Sequence, residues 1–222
     1  MATPAQGLSP PRAAAVAGIL FSVLLTISVV VIRLAVPGYQ ADAGEWLADP
    51  FRRNAVRFAI QLIPFAGIAF LWFIGVLRNR LGKLEDQFFA TVFFGSGVLF
   101  VASLFAAAVL AGAVLESMTG RGEQAISSDV YRITRQVIRA AMNIFATKMA
   151  GVFIMSTSTI VFRTSILPRW IAYSGFACAV VLLLIHTSWP WVSLLFPLWM
   201  IVVSVRILFA ELGGAKKVPA SG

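Results

Sequence analysis

Lys148 is the one charge in this sequence that falls inside a long apolar run, so any chemistry done away from water would start there. Arg163 closes that run about 22 Å further along a helix, which puts the ammonium several ångströms inside the outer edge of a bilayer. Its four-carbon stem can carry the charge back to the headgroups, whereas a lysine left at mid-span costs about 2.5 to 3.5 kcal/mol on insertion scales. Two roles compete for it: an anchor at the outer interface, or a contact to a substrate or partner in the outer leaflet. Glu116, which ends an earlier apolar run, belongs near the same interface, so Lys148 is expected either to reach the outer headgroups or to pair with Glu116.

Helical spacing gathers further polar groups. From Ile126 to Ile144, steps of about 100° put Ile126, Val130, Ile133, Val137 and Ile144 on one side and Ser128, Arg132, Arg135, Arg139 and Asn143 on the other. Arg139 and Asn143 thereby become candidates for contact with a substrate or a lipid headgroup. Arg57 and Gln61, one turn apart ahead of Pro64, make a second polar entrance that suits an anionic headgroup, although an arginine at headgroup level is also an ordinary anchor. The hydroxyls of Ser156, Thr157, Ser158 and Thr159 either line a polar seam or bond their own helix backbone, and the second is commoner in spans.

Catalysis usually needs a nucleophile with a base, paired carboxylates or a metal cluster, and none of these patterns is visible. His186, the only histidine, stands beside a turn, where an interfacial role is plainer than that of a general base or ligand. Cys178 is the only cysteine, so the chain cannot close a disulfide or build a thiolate metal centre on itself. Gly95 and Gly97 flank Ser96 inside an apolar run with no lysine after them, which fails as a phosphate loop and suits close packing instead. No Asp or Glu interrupts the apolar runs, which speaks against a proton- or sodium-coupled transporter. The chain is therefore expected to be no enzyme and to need no cofactor or metal.

The elements that must position these residues are membrane helices. Of 222 residues 59% are apolar and 12% charged, with a mean hydropathy of +0.89, against about 25% charged in soluble domains. The apolar residues form runs of about 20, the length that crosses some 30 Å of hydrocarbon. An all-α polytopic bundle of about six spans is predicted, at 13–34, 55–77, 88–115, 140–162, 170–185 and 191–208, with an interfacial amphipathic helix at 126–139 that runs into the fourth span. The Ala-x-Ala triplet at Ala41 to Ala43 lies too far past a run too long for a signal peptide, so the first run reads as a retained anchor. Pro64 and Pro197 predict kinks in the second and sixth spans. Ser103, Ala107 and Ala111 recur at every fourth position of the third, a face for close helix packing. Trp170, Trp189 and Trp191 fall where an aromatic belt belongs.

A net charge of +9 raises the question of nucleic acid, but the basic residues flank apolar runs singly or in twos and threes, where they anchor helix ends and meet anionic headgroups. No basic stripe with interleaved aromatics exists, so no nucleic-acid partner is expected. Basic residues divide almost evenly between the two sides. The short inner loops favour both termini in the cytoplasm, since the positive-inside rule works best on short loops.

The stretches PFAGIAFLWFIGVLRNRLGKLEDQFFATVFFGSGVLFVASLFAAA (Pro64 to Ala108) and MSTSTIVFRTSILPRWIAYSG (Met155 to Gly175) resemble a group of small hypothetical membrane proteins of actinobacteria. The plan is similar to that of a bacterial domain-of-unknown-function family with about six spans. The resemblance implies location and architecture and carries no activity. Two functions follow as expectations: a non-enzymatic accessory, scaffold or lipid-contacting component of the cytoplasmic membrane, with lipids, other membrane proteins or its own copies as partners; or a small permease or channel with a polar site near the kinked helices. A connected polar cavity would favour the second, and a dry core the first.

Overall fold

The computed structural model describes residues 10–36, 45–81, 87–118, 129–164, 167–184 and 191–215. His186, Trp189 and the Ala41 to Ala43 triplet lie outside them. Every regular element in the described residues is helical: α1 (Pro10–Ala35), α2 (Pro50–Leu81), α3 (Gln87–Met118), α4 (Asp129–Ala140), α5 (Thr147–Thr164), α6 (Arg169–Leu184) and α7 (Leu195–Ala215), with short 3-10 turns at Glu45–Leu47 and Val192–Leu194. Local signals set several ends. Asp49 accepts a hydrogen bond from the Phe51 amide at 2.9 Å and so caps α2, whose first residue, Pro50, has no amide to leave unpaired. Arg33 falls in the last turn of α1, where its charge favours the carbonyl end of the helix.

Among the described residues five stretches are long and apolar enough to cross a membrane: Arg12–Ala35, Pro50–Arg78, Phe88–Ser117, Asp129–Thr164 and Val192–Ala210. The sixth, α6, has 16 residues, about 24 Å of helix against about 30 Å of hydrocarbon. The expected amphipathic helix is present as α4, and it runs into its span without a break. One wider i→i+5 turn, Ala141–Ala146, joins α4 to α5, and the flanking Ala140 (φ −62°, ψ −47°) and Thr147 (φ −64°, ψ −42°) stay in helical geometry. The result is a single helix of 36 residues, about 54 Å long. Pro64 lies inside α2, which continues through it, whereas Pro197 departs from expectation. It occupies the first turn of α7, where its missing amide interrupts no helix interior.

α1 packs along α2 and α7, α3 bridges α2 and α5, and α6 lies against α5. Lipid offers no hydrophobic drive for these contacts, so shape must supply it. The middle of the bundle is filled with phenylalanine from five helices: Phe21, Phe70, Phe73, Phe93, Phe100, Phe153 and Phe196, all buried. Ring centroids lie 4.5 Å apart for Phe21 and Phe70, 4.8 Å for Phe93 and Phe153, and 4.8 Å for Phe100 and Phe196. Each such pair contributes about 0.5 to 1.5 kcal/mol beyond its area. α6 fits between α5 and α7 because Gly175 lacks a side chain; a Cβ there would overlap Ser158 Oγ and come within 2.9 Å of the Trp199 ring. The close-packing expectation holds for Gly97, where a Cβ would strike Ile74, but fails for Gly95, which faces open space. Of the small-residue stripe on α3, Ala107 is buried while Ser103 and Ala111 are half-buried, because the helix turns its phenylalanines to the core.

Candidate functional site

The C-terminal ends of α1 and α3, the start of α2 and all of α4 meet at one end of the bundle. A second apolar cluster joins them there: Ala35, Trp46, Leu47, Val56, Leu115 and Tyr131, all buried. Neighbours of these residues in the chain bring the charges. Glu116 follows Leu115, Arg57 follows Val56, and the two form an ion pair at 3.0 Å. Arg57 also donates to Asn54 Oδ1 at 3.2 Å. Gln61 is exposed and makes no side-chain hydrogen bond with the described residues, so the expected Arg57 and Gln61 entrance is an Arg57, Asn54 and Glu116 cluster instead.

The expected pair between Glu116 and Lys148 is not formed. Because α4 and α5 are one rising helix, Tyr131, which shares a cluster with Leu115, stands about 25 Å along the axis from Lys148. Glu116 is level with Tyr131 and out of reach. Lys148 does not turn to the headgroups either: its Nζ donates to the carbonyls of Leu182 at 3.1 Å and Leu183 at 2.7 Å. These are among the last described carbonyls of α6, and carbonyls at a helix end call for donors from outside the helix. In hydrocarbon each unsatisfied group costs several kcal/mol, and an ammonium is also the right sign for that end of the helix dipole. Gly151, one turn on from Lys148, lets α6 come this close; a Cβ there would sit 2.9 Å from Leu183 Cγ. Lys148 thus donates to the last described turn of α6.

Arg139 and Asn143 do come together with a residue that sequence reasoning treated only as an anchor. Arg33 Nη2 donates to Asn143 Oδ1 at 3.5 Å, and the charge of Arg139 acts on Arg33. All three are half-buried. α4 exposes Val130, Ile133 and Val137, at 68%, 58% and 46%, beside the exposed Asp129, Arg132 and Gln136, while Arg135 and Arg139 are half-buried. Arg132 pairs with Asp129 at 2.8 Å on the open side.

Ser156, Thr157 and Thr159 donate to backbone carbonyls of their own helix, at 3.0, 2.7 and 2.9 Å, whereas the buried Ser158 hydroxyl, packed against Gly175, makes no hydrogen bond. A small cavity of about 20 Å³ lies between Leu25, Phe100, Thr147, Leu182, Ser193 and Phe196, room for about one water. No group of three metal-ligating side chains occurs among the described residues. No protein-family model matches the chain, and neither curated proteins nor solved structures give a match.

Proposed function

We propose that this chain is a non-enzymatic component of the cytoplasmic membrane that acts by contact, an accessory or scaffold protein holding anionic lipid at its arginine-rich end. The observation that carries this reading is the contrast between the two ends of one helix. At Phe153 the α4–α5 helix enters a core filled by aromatic rings, and at Arg135 and Arg139 it turns guanidinium groups towards the bundle beneath an exposed apolar face. A filled centre suits a static role, and a basic, apolar-rimmed end suits phospholipid. Both termini lie in the cytoplasm in this proposal, and the kinship with small six-span actinobacterial membrane proteins belongs to it. The exposed Val130, Ile133 and Val137 offer a further surface to another membrane protein or a second copy.

Purification in mild detergent, followed by identification of retained lipids and proteins, tests it. Anionic phospholipid should be enriched over its share of the source membrane; retention in the bulk proportion counts against the proposal. A small permease or channel is the second reading, favoured by the i→i+5 turn beside the Thr147 cavity, since such turns recur at functional sites. Solute flux into vesicles containing the purified protein would favour it.

A further inference from the structure

We propose that α4 is a docking surface for a second copy of this chain, joined along Val130, Ile133 and Val137 as a parallel, two-fold pair of helices. The proposal rests on the scaffold part of the reading above and not on its lipid. Depth is the first argument. The Phe70 ring centroid lies 4.5 Å from that of Phe21 and 5.0 Å from that of Phe153, so the three rings mark one level in three helices. Arg12, Arg78 and Arg163 lie about 14, 12 and 15 Å from that level along their helices, which agree on one boundary of the hydrocarbon. The other boundary is then about 16 Å beyond the rings, with headgroups for about 5 to 8 Å more. Val137, Ile133 and Val130 stand about 24, 30 and 34 Å beyond Phe153. An exposed apolar row at that height has headgroups at its foot and water above them, where burial against a partner is favourable as it is not in lipid.

Spacing and charge are the second. Val130, Ile133, Val137 and Ala140 recur at intervals of three and four, the a and d positions of two heptads, with valine at each a. The arginines of α4 all fall off this seam: Arg135 and Arg139 are half-buried, and the exposed Arg132 is held by Asp129 at 2.8 Å. Asp129, Thr134, Gln136 and Ala141 take the flanking positions, so a second copy brings no cation against a cation. Orientation is the third. Copies inserted the same way in one bilayer hold α4 upright, parallel and at equal height, so each apolar residue meets its own equivalent in register. Closed two-fold pairing is also the commonest arrangement of identical chains. Two heptads make a short seam, so the pair is reversible and disperses as the protein is diluted in lipid.

The test uses the full chain in phosphatidylcholine vesicles, with Cys178→Ser as background and single cysteines introduced on and off the seam. A mild oxidant should join copies through Ile133→Cys and through Val137→Cys. It should leave apart those carrying Arg132→Cys, exposed beside the seam, or Trp72→Cys, exposed on α2. Equal joining at 132 and 133 is random collision and overturns the pair; joining at 72 alone moves the contact to α2 and overturns it too, as does no joining at all. Energy transfer between copies labelled at the C-terminus is the second measurement. Ile133→Asp should need about tenfold more protein per lipid for the same transfer, the worth of one buried isoleucine. A transfer curve equal to wild type overturns the seam. In the source membrane, joining of Ile133→Cys to a different protein in place of a second copy overturns the occupant. Retention of anionic lipid by the purified wild type is unaffected by any of these outcomes, so the two readings fail separately.

Discussion

A single residue, Lys148, shows how a half-buried charge can serve the end of a neighbouring helix. Its two bonds to Leu182 and Leu183 are charge-assisted, and such bonds contribute about 1.5 to 3 kcal/mol each. Lys148→Met keeps the stem and removes the donor, so it should destabilise the protein by about 2 to 4 kcal/mol, read from unfolding in detergent. A stability equal to wild type would show that the carbonyls of α6 have another donor. Glu116→Gln should cost under about 1 kcal/mol, the scale of an exposed pair. In a double-mutant cycle Glu116 should couple to Arg57 and not to Lys148. Coupling between Glu116 and Lys148 would contradict the rise of the α4–α5 helix.

At the scale of elements, α6 meets Lys148 in its last described turn because Gly151 opens the space for the approach. Gly151→Ala should push Leu183 away and cost about 1 to 3 kcal/mol. Adding Lys148→Met to it should cost less than Lys148→Met alone, because the cap is already strained. Full additivity in that cycle would separate the glycine from the cap. The α4–α5 helix is long because nothing breaks it; the wider turn at Ala141–Ala146 absorbs one extra residue and lets the chain continue. Spin labels at 130, 133 and 137 should be accessible to a collisional relaxant and those at 131, 138 and 142 less so, a period near 3.6. The inverse pattern would mean that α4 buries its apolar face and shows its arginines outward.

For the whole molecule, topology turns on α6. If its 16 residues cross, the chain crosses six times and both termini share a side; if they do not, the termini separate. Capping by Lys148 permits the crossing, since the carbonyls that stop short of the headgroups are satisfied inside the bundle. Reporter fusions at 84 and 166 and at the C-terminus should therefore report one side, the cytoplasm in the orientation proposed, and one at 122 the opposite side. A C-terminal fusion that reports the opposite side from 84 would leave α6 as a helix that enters without crossing.

How much of this was legible in the chain depends on the range of the force concerned. Hydrocarbon demands that every backbone group be paired along the same segment, so a run of about 20 apolar residues is a helix whatever its neighbours are. The spans, the amphipathic stretch ending at Arg139 and the self-bonded hydroxyls of Ser156 and Thr157 are local in this sense, and they were readable from spacing. The partners of Lys148, Glu116 and Arg33 are not. Each depends on how far one helix is raised against another. Counting back from Arg163 puts Lys148 near the outer boundary with Glu116, but the long α3 carries Glu116 to the level of Tyr131, about 25 Å along the axis from Lys148, which bonds the end of α6 instead. Tertiary structure decided the polar contacts because a side-chain bond is sensitive to a single ångström, and a hydropathy run is not.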